Sequence, residues 1–139
     1  MLKTLSILVP LAILIFAGGY LSGVQAAGAN RVFELRTYTT FEGKLDALNA
    51  RFRNHTIKIF EKHGMQNIGY WTPMEGPNKG NQLVYIIAHP SREAAKQSWD
   101  AFRNDPEWKK VAAESEKDGK INQKVESLFL EPTDYSKIK

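Results

Sequence analysis

Between Val32 and Leu130 the apolar period of the sequence switches repeatedly between two and 3.6, and the order of those switches constrains the fold more than any other feature. Val32 to Thr39 is rich in β-formers and alternates, with Phe33, Leu35 and Thr37 on one face and Glu34, Arg36 and Tyr38 on the other. Gly43 to His63 carries Leu45, Leu48, Phe52, Thr56, Ile59 and Phe60 at helical spacings. Lys62 and His63 fall in its last turn, where cations suit the helix dipole, and Gly64 follows as a left-handed cap. Ile68 to Met74 predicts a second strand, the turn-rich Glu75 to Asn81 a loop, and Leu83 to Ala88 a third strand. Ser91 caps a second helix that carries Ala95, Trp99 and Phe102 on one side. Asp105-Pro106 restarts a short helix, with Asp at the cap and Pro at the first helical position; it holds Trp108, Val111 and Ala112 and stops near Gly119. Val125 to Leu130 is the last strand, and Pro132 onward reads as a polar tail.

The order β-α-β-β-α-(α)-β predicts an α+β domain of the ferredoxin-like, split βαβ kind: a four-stranded antiparallel sheet with its helices on one face. The other face of such a sheet is open, and a face open to water is ordinarily polar. The third strand contradicts that, because Leu83, Tyr85 and Ile87 alternate with Val84 and Ile86 and both its faces are apolar. A second copy covering the open face resolves the conflict, so the sequence predicts a homodimer.

Residues 1–26 have the three parts of a secretory signal: Lys3 at the start, an apolar run from Leu5 to Phe16 broken only by Ser6 and Pro10, and the small-residue end Val24-Gln25-Ala26. The same stretch, Leu5 to Val24, is 20 residues long and would span a bilayer if it were kept as an anchor. Pro10, the glycines at 18, 19 and 23 and the fit of the cleavage site favour removal after Ala26 or Ala27. The expectation is therefore an exported protein, periplasmic or secreted, with membrane anchoring through residues 5–24 as the alternative. Residues 27–31 then form a linker, 32–131 the domain and 132–139 the tail. The absence of cysteine excludes a disulfide framework, a thiolate metal site and a cysteine nucleophile. The formal net charge is +4, but the bases are interspersed with acids and form no continuous stripe, which argues against nucleic acid as a partner.

Three blocks resemble the NIPSNAP family. Val32-Phe33-Glu34-Leu35-Arg36-Thr37-Tyr38-Thr39 with Gly43-Lys44-Leu45 is the first. Phe60-Glu61-Lys62-His63-Gly64, followed by Gly69-Tyr70-Trp71-Thr72, is the second, and Asp105-Pro106-Glu107-Trp108 is the third. The resemblance covers about residues 32–131. It implies a ferredoxin-like fold pairing as a dimeric α/β barrel, in a superfamily that includes cofactor-free monooxygenases, isomerases and haem enzymes. It implies no particular activity, since a fold does not carry a function by itself.

The candidate chemistry is sparse. Of the three histidines, His55 and His63 lie eight residues apart on one helix, about 12 Å along its axis and about 80° around it, and cannot share a metal. No metal site and no cofactor is expected. His55, at the edge of the apolar helix face, is the candidate acid or base if it points into the cleft between helix and sheet; otherwise it is a helix-edge residue bonded to a carbonyl or to water. His63 reads as a helix C-terminal residue and His89, before Pro90, as a loop-entry residue. Arg36 shares a strand face with Glu34 and Tyr38, and in a dimeric barrel that is a candidate inter-subunit face. Arg36 there either holds a carboxylate or enolate or forms an ion pair with an acid such as Glu34. Tyr38, Tyr70, Trp71, Tyr85 and Trp99 either line a pocket for a flat apolar ligand or are core and interface mass. Two functions follow: a homodimeric module binding a small apolar ligand or a protein partner, or a cofactor-independent monooxygenase or isomerase using His55 and Arg36.

Overall fold

A computed structural model describes residues 31–139; the leader and nearly all of the linker lie outside the described residues. The chain forms β1 (Val32–Thr40), α1 (Leu45–Arg51), a π-helical turn (Phe52–Thr56), α2 (Ile57–Lys62), β2 (Gln66–Trp71), β3 (Gln82–His89), α3 (Arg92–Asn104), α4 (Pro106–Ser115) and β4 (Asn122–Leu130). All strand pairs are antiparallel and the sheet order is β2-β3-β1-β4, the ferredoxin-like arrangement expected from the order of periods. Among the described residues no helix is long and apolar enough to cross a membrane.

The local signals act as their chemistry requires. The Ser91 hydroxyl accepts a hydrogen bond from the Ala94 N–H at 3.0 Å and starts α3. The Asp105 carboxylate accepts one from the Glu107 N–H at 2.7 Å, with Pro106 at the first position of α4. Gly64 ends α2 at φ 76°, a conformation in which a Cβ would be strained. The Asp105 carboxylate also meets Lys62 at 2.8 Å and His63 at 2.6 Å, so one side chain ties the end of α2 to the start of α4. Hydrogen bonds from Lys62 and then from His63 hold that carboxyl well below the usual range.

The first helical segment is not a regular helix. The Ile57 N–H bonds to the Phe52 carbonyl, five residues back, and the Thr56 hydroxyl donates to the Arg51 carbonyl at 3.3 Å. This widened turn inserts a residue into the repeat, a feature that recurs at functional sites. The core lies between the helices and the sheet, built from Leu48, Phe52, Ile59, Phe60, Met65, Leu83, Tyr85, Ile87, Phe102, Val111 and Ile121.

The candidate inter-subunit face is corrected. Glu34 pairs with Ile87 and Arg36 with Tyr85, so the Glu34-Arg36-Tyr38 face looks into the helices rather than out of the sheet. A third strand apolar on both sides could not say which face the helices cover; the burial of Leu83, Tyr85 and Ile87 does. The open face instead carries Phe33, Leu35, Thr37, Val84, Ile86 and, on β4, Leu128, which is 58% exposed. The tail is also less polar in its placement than in its composition. Pro132 and Ile138 line a cleft of about 330 Å³ on this open face with Phe33, Ile68 and Ile86, and Arg31 hydrogen-bonds to the Lys139 carbonyl.

Candidate functional site

The most densely connected polar group is Glu34, whose side chain is 1% exposed. Alternation on β1 turns it toward the helices, and four donors converge on it. One carboxylate oxygen accepts from Arg36 Nη1 at 2.8 Å and from the Ser127 hydroxyl at 2.6 Å. The other accepts from Trp99 Nε1 at 2.7 Å and faces His89 Nε2 at 3.0 Å. Burial alone would raise this carboxyl, but the bonds from His89, Ser127, Arg36 and Trp99 outweigh it and bring it down to about 2. An ionised carboxylate only accepts, so the proton between it and His89 sits on His89 Nε2.

Arg36 lies next to this hub. Besides Glu34 it donates from Nη2 to the Tyr38 hydroxyl at 3.2 Å, and its guanidinium lies over the Trp99 ring, 4.3 Å from the centroid. Its third nitrogen, Nε, is buried and has no partner among the described residues. Directly opposite on β3 is Tyr85, wholly buried, whose hydroxyl makes no hydrogen bond of good geometry among the described residues and has the Tyr38 hydroxyl as its polar neighbour. Burial, with the Tyr38 hydroxyl beside it, pushes Tyr85 far above the usual tyrosine range. Its ring is fixed on several sides: Tyr38 at 5.4 Å, Phe52 at 5.1 Å, Phe60 at 6.1 Å and Tyr70 stacked at 5.2 Å between centroids. Tyr70 differs from Tyr85 in one respect, since its hydroxyl donates to the Asn67 side-chain oxygen.

The way in lies over β4. Ser127 pairs with Arg36 and Val125 with Tyr38, so both point to the helix side of the sheet, yet both remain exposed. Trp99 on α3 lies over Arg36 on this side of the sheet, Tyr38 follows on the same face of β1, and Tyr85 lies buried beyond them on β3. Arg36, Tyr38, Tyr85 and Trp99 of the predicted residues are thus brought together, with Tyr70 behind Tyr85.

Two predicted residues are elsewhere. His55 is exposed, in the π-helical turn on the side that looks toward α4, and does not enter the helix–sheet cleft. The π-helical turn explains this, because an extra residue in the repeat turns the helix relative to a regular one. Trp71 is 53% exposed and pairs with Val84 on the open sheet face. It lies across Gly69: a Cβ there would stand 2.5 Å from the Trp71 ring. His89 is corrected as well. It is not a loop-entry residue but the last residue of β3, fully buried against Glu34. The Arg36–Glu34 ion pair was one of the two readings of Arg36; Ser127 and the inward role of His89 are the parts of the hub that sequence reasoning passed over. The signal available was their unusual chemistry in strands otherwise rich in apolar residues. Among the described residues no group of three or more carboxylates and imidazoles is spaced to hold a metal.

The NIPSNAP family model matches residues 33–137. The chain belongs to the NIPSNAP family. Solved structures similar to this NIPSNAP domain include a NIPSNAP-family protein of unknown function from Agrobacterium tumefaciens, at 23% identity and TM-score 0.69, covering 79% of this chain and 95% of that one. An uncharacterised NIPSNAP-like domain protein from Burkholderia xenovorans matches at 20% identity and TM-score 0.67, over 76% and 88%. SnoaB, a cofactor-independent oxygenase from Streptomyces nogalater, matches at 13% identity and TM-score 0.52, over 76% and 96%. At these identities the likeness is one of fold. No functionally curated protein matches the chain.

Proposed function

We propose that this NIPSNAP domain is an exported, homodimeric binding module for a small, largely apolar ligand carrying one acceptor oxygen. The observation that supports it is a pair of buried polar atoms without partners among the described residues, Arg36 Nε and the Tyr85 hydroxyl, on residues that face each other across β1 and β3. A buried donor left unpaired costs on the order of 1–3 kcal/mol, and an acceptor brought by a ligand removes that cost. The aromatic walls, Tyr38 and Trp99, supply the apolar contact. The hub beside them suits holding rather than catalysis. A carboxylate at about 2 is too weak a base to activate Ser127 at neutral pH, and His55 faces away. The homodimer rests on the open sheet face, where Leu35, Ile86 and Leu128 lie in one row across three strands. Export rests on the leader.

The test is native mass spectrometry of the protein purified from its own exported fraction. A dimer, shortened by the leader and carrying a discrete extra mass that Arg36→Met loses, is the expected result. A bare dimer in every preparation shifts the role to protein partners, and a monomer removes the argument from the open face. A cofactor-independent monooxygenase or isomerase is the second reading. It is favoured by the fold shared with SnoaB and by Arg36, whose free donor suits an enolate oxygen. Saturable turnover abolished by Arg36→Met would establish it over simple binding.

A further inference from the structure

A second, separate site lies on the outside of the helical layer. The groove between α1 and α4 encloses about 320 Å³ and is lined by Ala47, Ala50, Arg51, Val111 and Ser115, with Asn54, His55 and Glu114. Ala47, Ala50, Arg51, Asn54 and His55 recur at spacings of three and four, which places them on one helix flank, and the π-helical turn that begins after Arg51 sets where that flank points. Ala47, Ala50 and Val111 give the groove an apolar, sterically shallow lining.

Arg51 is the unusual member. Its side chain is 4% exposed, so a permanent positive charge has been taken almost wholly out of water. Its compensation is thin. Nη1 alone makes bonds, both long: 3.2 Å to the Ser115 hydroxyl and 3.4 Å to a Glu116 carboxylate that is itself partly solvated. The guanidinium stands 5.4 Å from the Trp108 centroid. Nε is buried with no partner among the described residues. A nearly buried guanidinium with free donors, at a groove with apolar walls, matches the fork geometry of a carboxylate. Glu114 on the rim repels an anion, but it is exposed and screened.

We propose that the α1–α4 groove binds a small organic monocarboxylate, its carboxylate on Arg51 with Ser115 beside it and its apolar part along Ala47, Ala50 and Val111. The site shares no residue with the Glu34–Arg36 cleft, so either can exist without the other.

The experiment is a two-dimensional amide and arginine-side-chain NMR titration of the purified protein with sodium benzoate and sodium butyrate, against sodium chloride at matched ionic strength. The expected result is saturable shifts in Arg51 Nε–H, Ala50, Asn54 and Val111, with weak affinity of about 1 mM. Ala47→Phe, an exposed position whose new ring would fill the groove, is expected to weaken binding at least about tenfold, as is Arg51→Gln. Should Arg51→Gln fail to fold, Ala47→Phe decides. Shifts reproduced by chloride, shifts unchanged in Ala47→Phe, or no saturation up to about 50 mM would each overturn the proposal. Shifts confined to Arg36, Tyr85 and Trp99 would overturn it too, while supporting the cleft on the other side of the helices.

Discussion

Tyr85→Phe isolates the oxygen on which the binding reading depends. The ring is wholly buried and packed by Tyr38, Phe52, Phe60 and Tyr70, and phenylalanine keeps every one of those contacts. Only the hydroxyl is removed, and it has no partner among the described residues. Burying an unpaired hydroxyl costs about 1–3 kcal/mol, whereas the void left by one oxygen loses only a few tenths in dispersion. Without ligand the variant is therefore expected to be more stable than the parent by about 1 kcal/mol, a rise in Tm of about 4–8 °C for a domain of this size. Tyr70→Phe is the control of opposite sign. Its ring stacks on Tyr85 at 5.2 Å, but its hydroxyl donates to Asn67, and its removal strands that acceptor, costing about 1 kcal/mol.

Urea unfolding followed by circular dichroism reads both, at one fixed protein concentration because a dimer's stability depends on it. Unchanged slopes would confine the effect to stability rather than to the denatured state. If Tyr85→Phe is destabilised by about as much as Tyr70→Phe, the Tyr85 hydroxyl has a partner in the free protein, and the argument for a receptive pair at Arg36 and Tyr85 fails. If it is stabilised, ligand affinity should move the other way and fall about tenfold.

Glu34 makes the fold acid-sensitive. Its folded value, about 2, lies below the ordinary 4.5, so its stabilisation is complete above pH 4.5 and is lost as pH falls toward 2. That contribution is about 3 kcal/mol, and Glu34→Gln is expected to lose it at neutral pH while flattening the acid limb of a stability–pH curve. An unchanged acid limb in the variant would refute the assignment. Leu128→Glu places a charge at an already exposed site on the open sheet face, so the monomer should fold normally. Its dimer should weaken by about 100-fold or more by light scattering, and an intact dimer would move the interface elsewhere. Gly64→Ala forces a Cβ onto φ 76° and should cost about 1 kcal/mol in the same urea assay; a neutral effect would mean the helix end relaxes freely.

The elements were legible because local chemistry agreed with global order. Ser91, Asp105-Pro106 and Gly64 each mark a boundary through a group that satisfies or releases a backbone bond, and each is found doing so. The site was legible only in part, for a geometric reason. Period two separates Glu34, Arg36 and Tyr38 from Phe33, Leu35 and Thr37, but it does not say which set the helices cover. The usual arbiter is the polar face, and here it points the wrong way. The charged residues of β1 lie inside, where Trp99, Ser127 and His89 hydrogen-bond to Glu34 from three other elements. Those partners are between 55 and 93 residues away in sequence, beyond the reach of any spacing argument. Of the two readings of His55, the structure fits the helix-edge one, and the reason its direction was not legible is different. A regular helix was assumed where the chain adds one residue per repeat, and only the Ile57-to-Phe52 backbone bond reveals it.

The two faces of the sheet therefore carry opposite assignments from the ones their composition suggests, and this has a consequence for function. A polar face turned outward would have made Arg36 part of a subunit contact, satisfied across the dimer. Turned inward, Arg36 is already paired to Glu34 and braced on Trp99, and its buried Nε makes no bond among the described residues. The apolar residues turned outward, Leu35, Ile86 and Leu128, have no such polar demand and need only a matching surface. The proposed association and the proposed ligand capture thus call on opposite sides of one sheet four strands wide. A substitution such as Leu128→Glu should break the first without touching the second, and Tyr85→Phe should do the reverse. Loss of both properties in either variant would mean that the cleft is assembled only in the dimer.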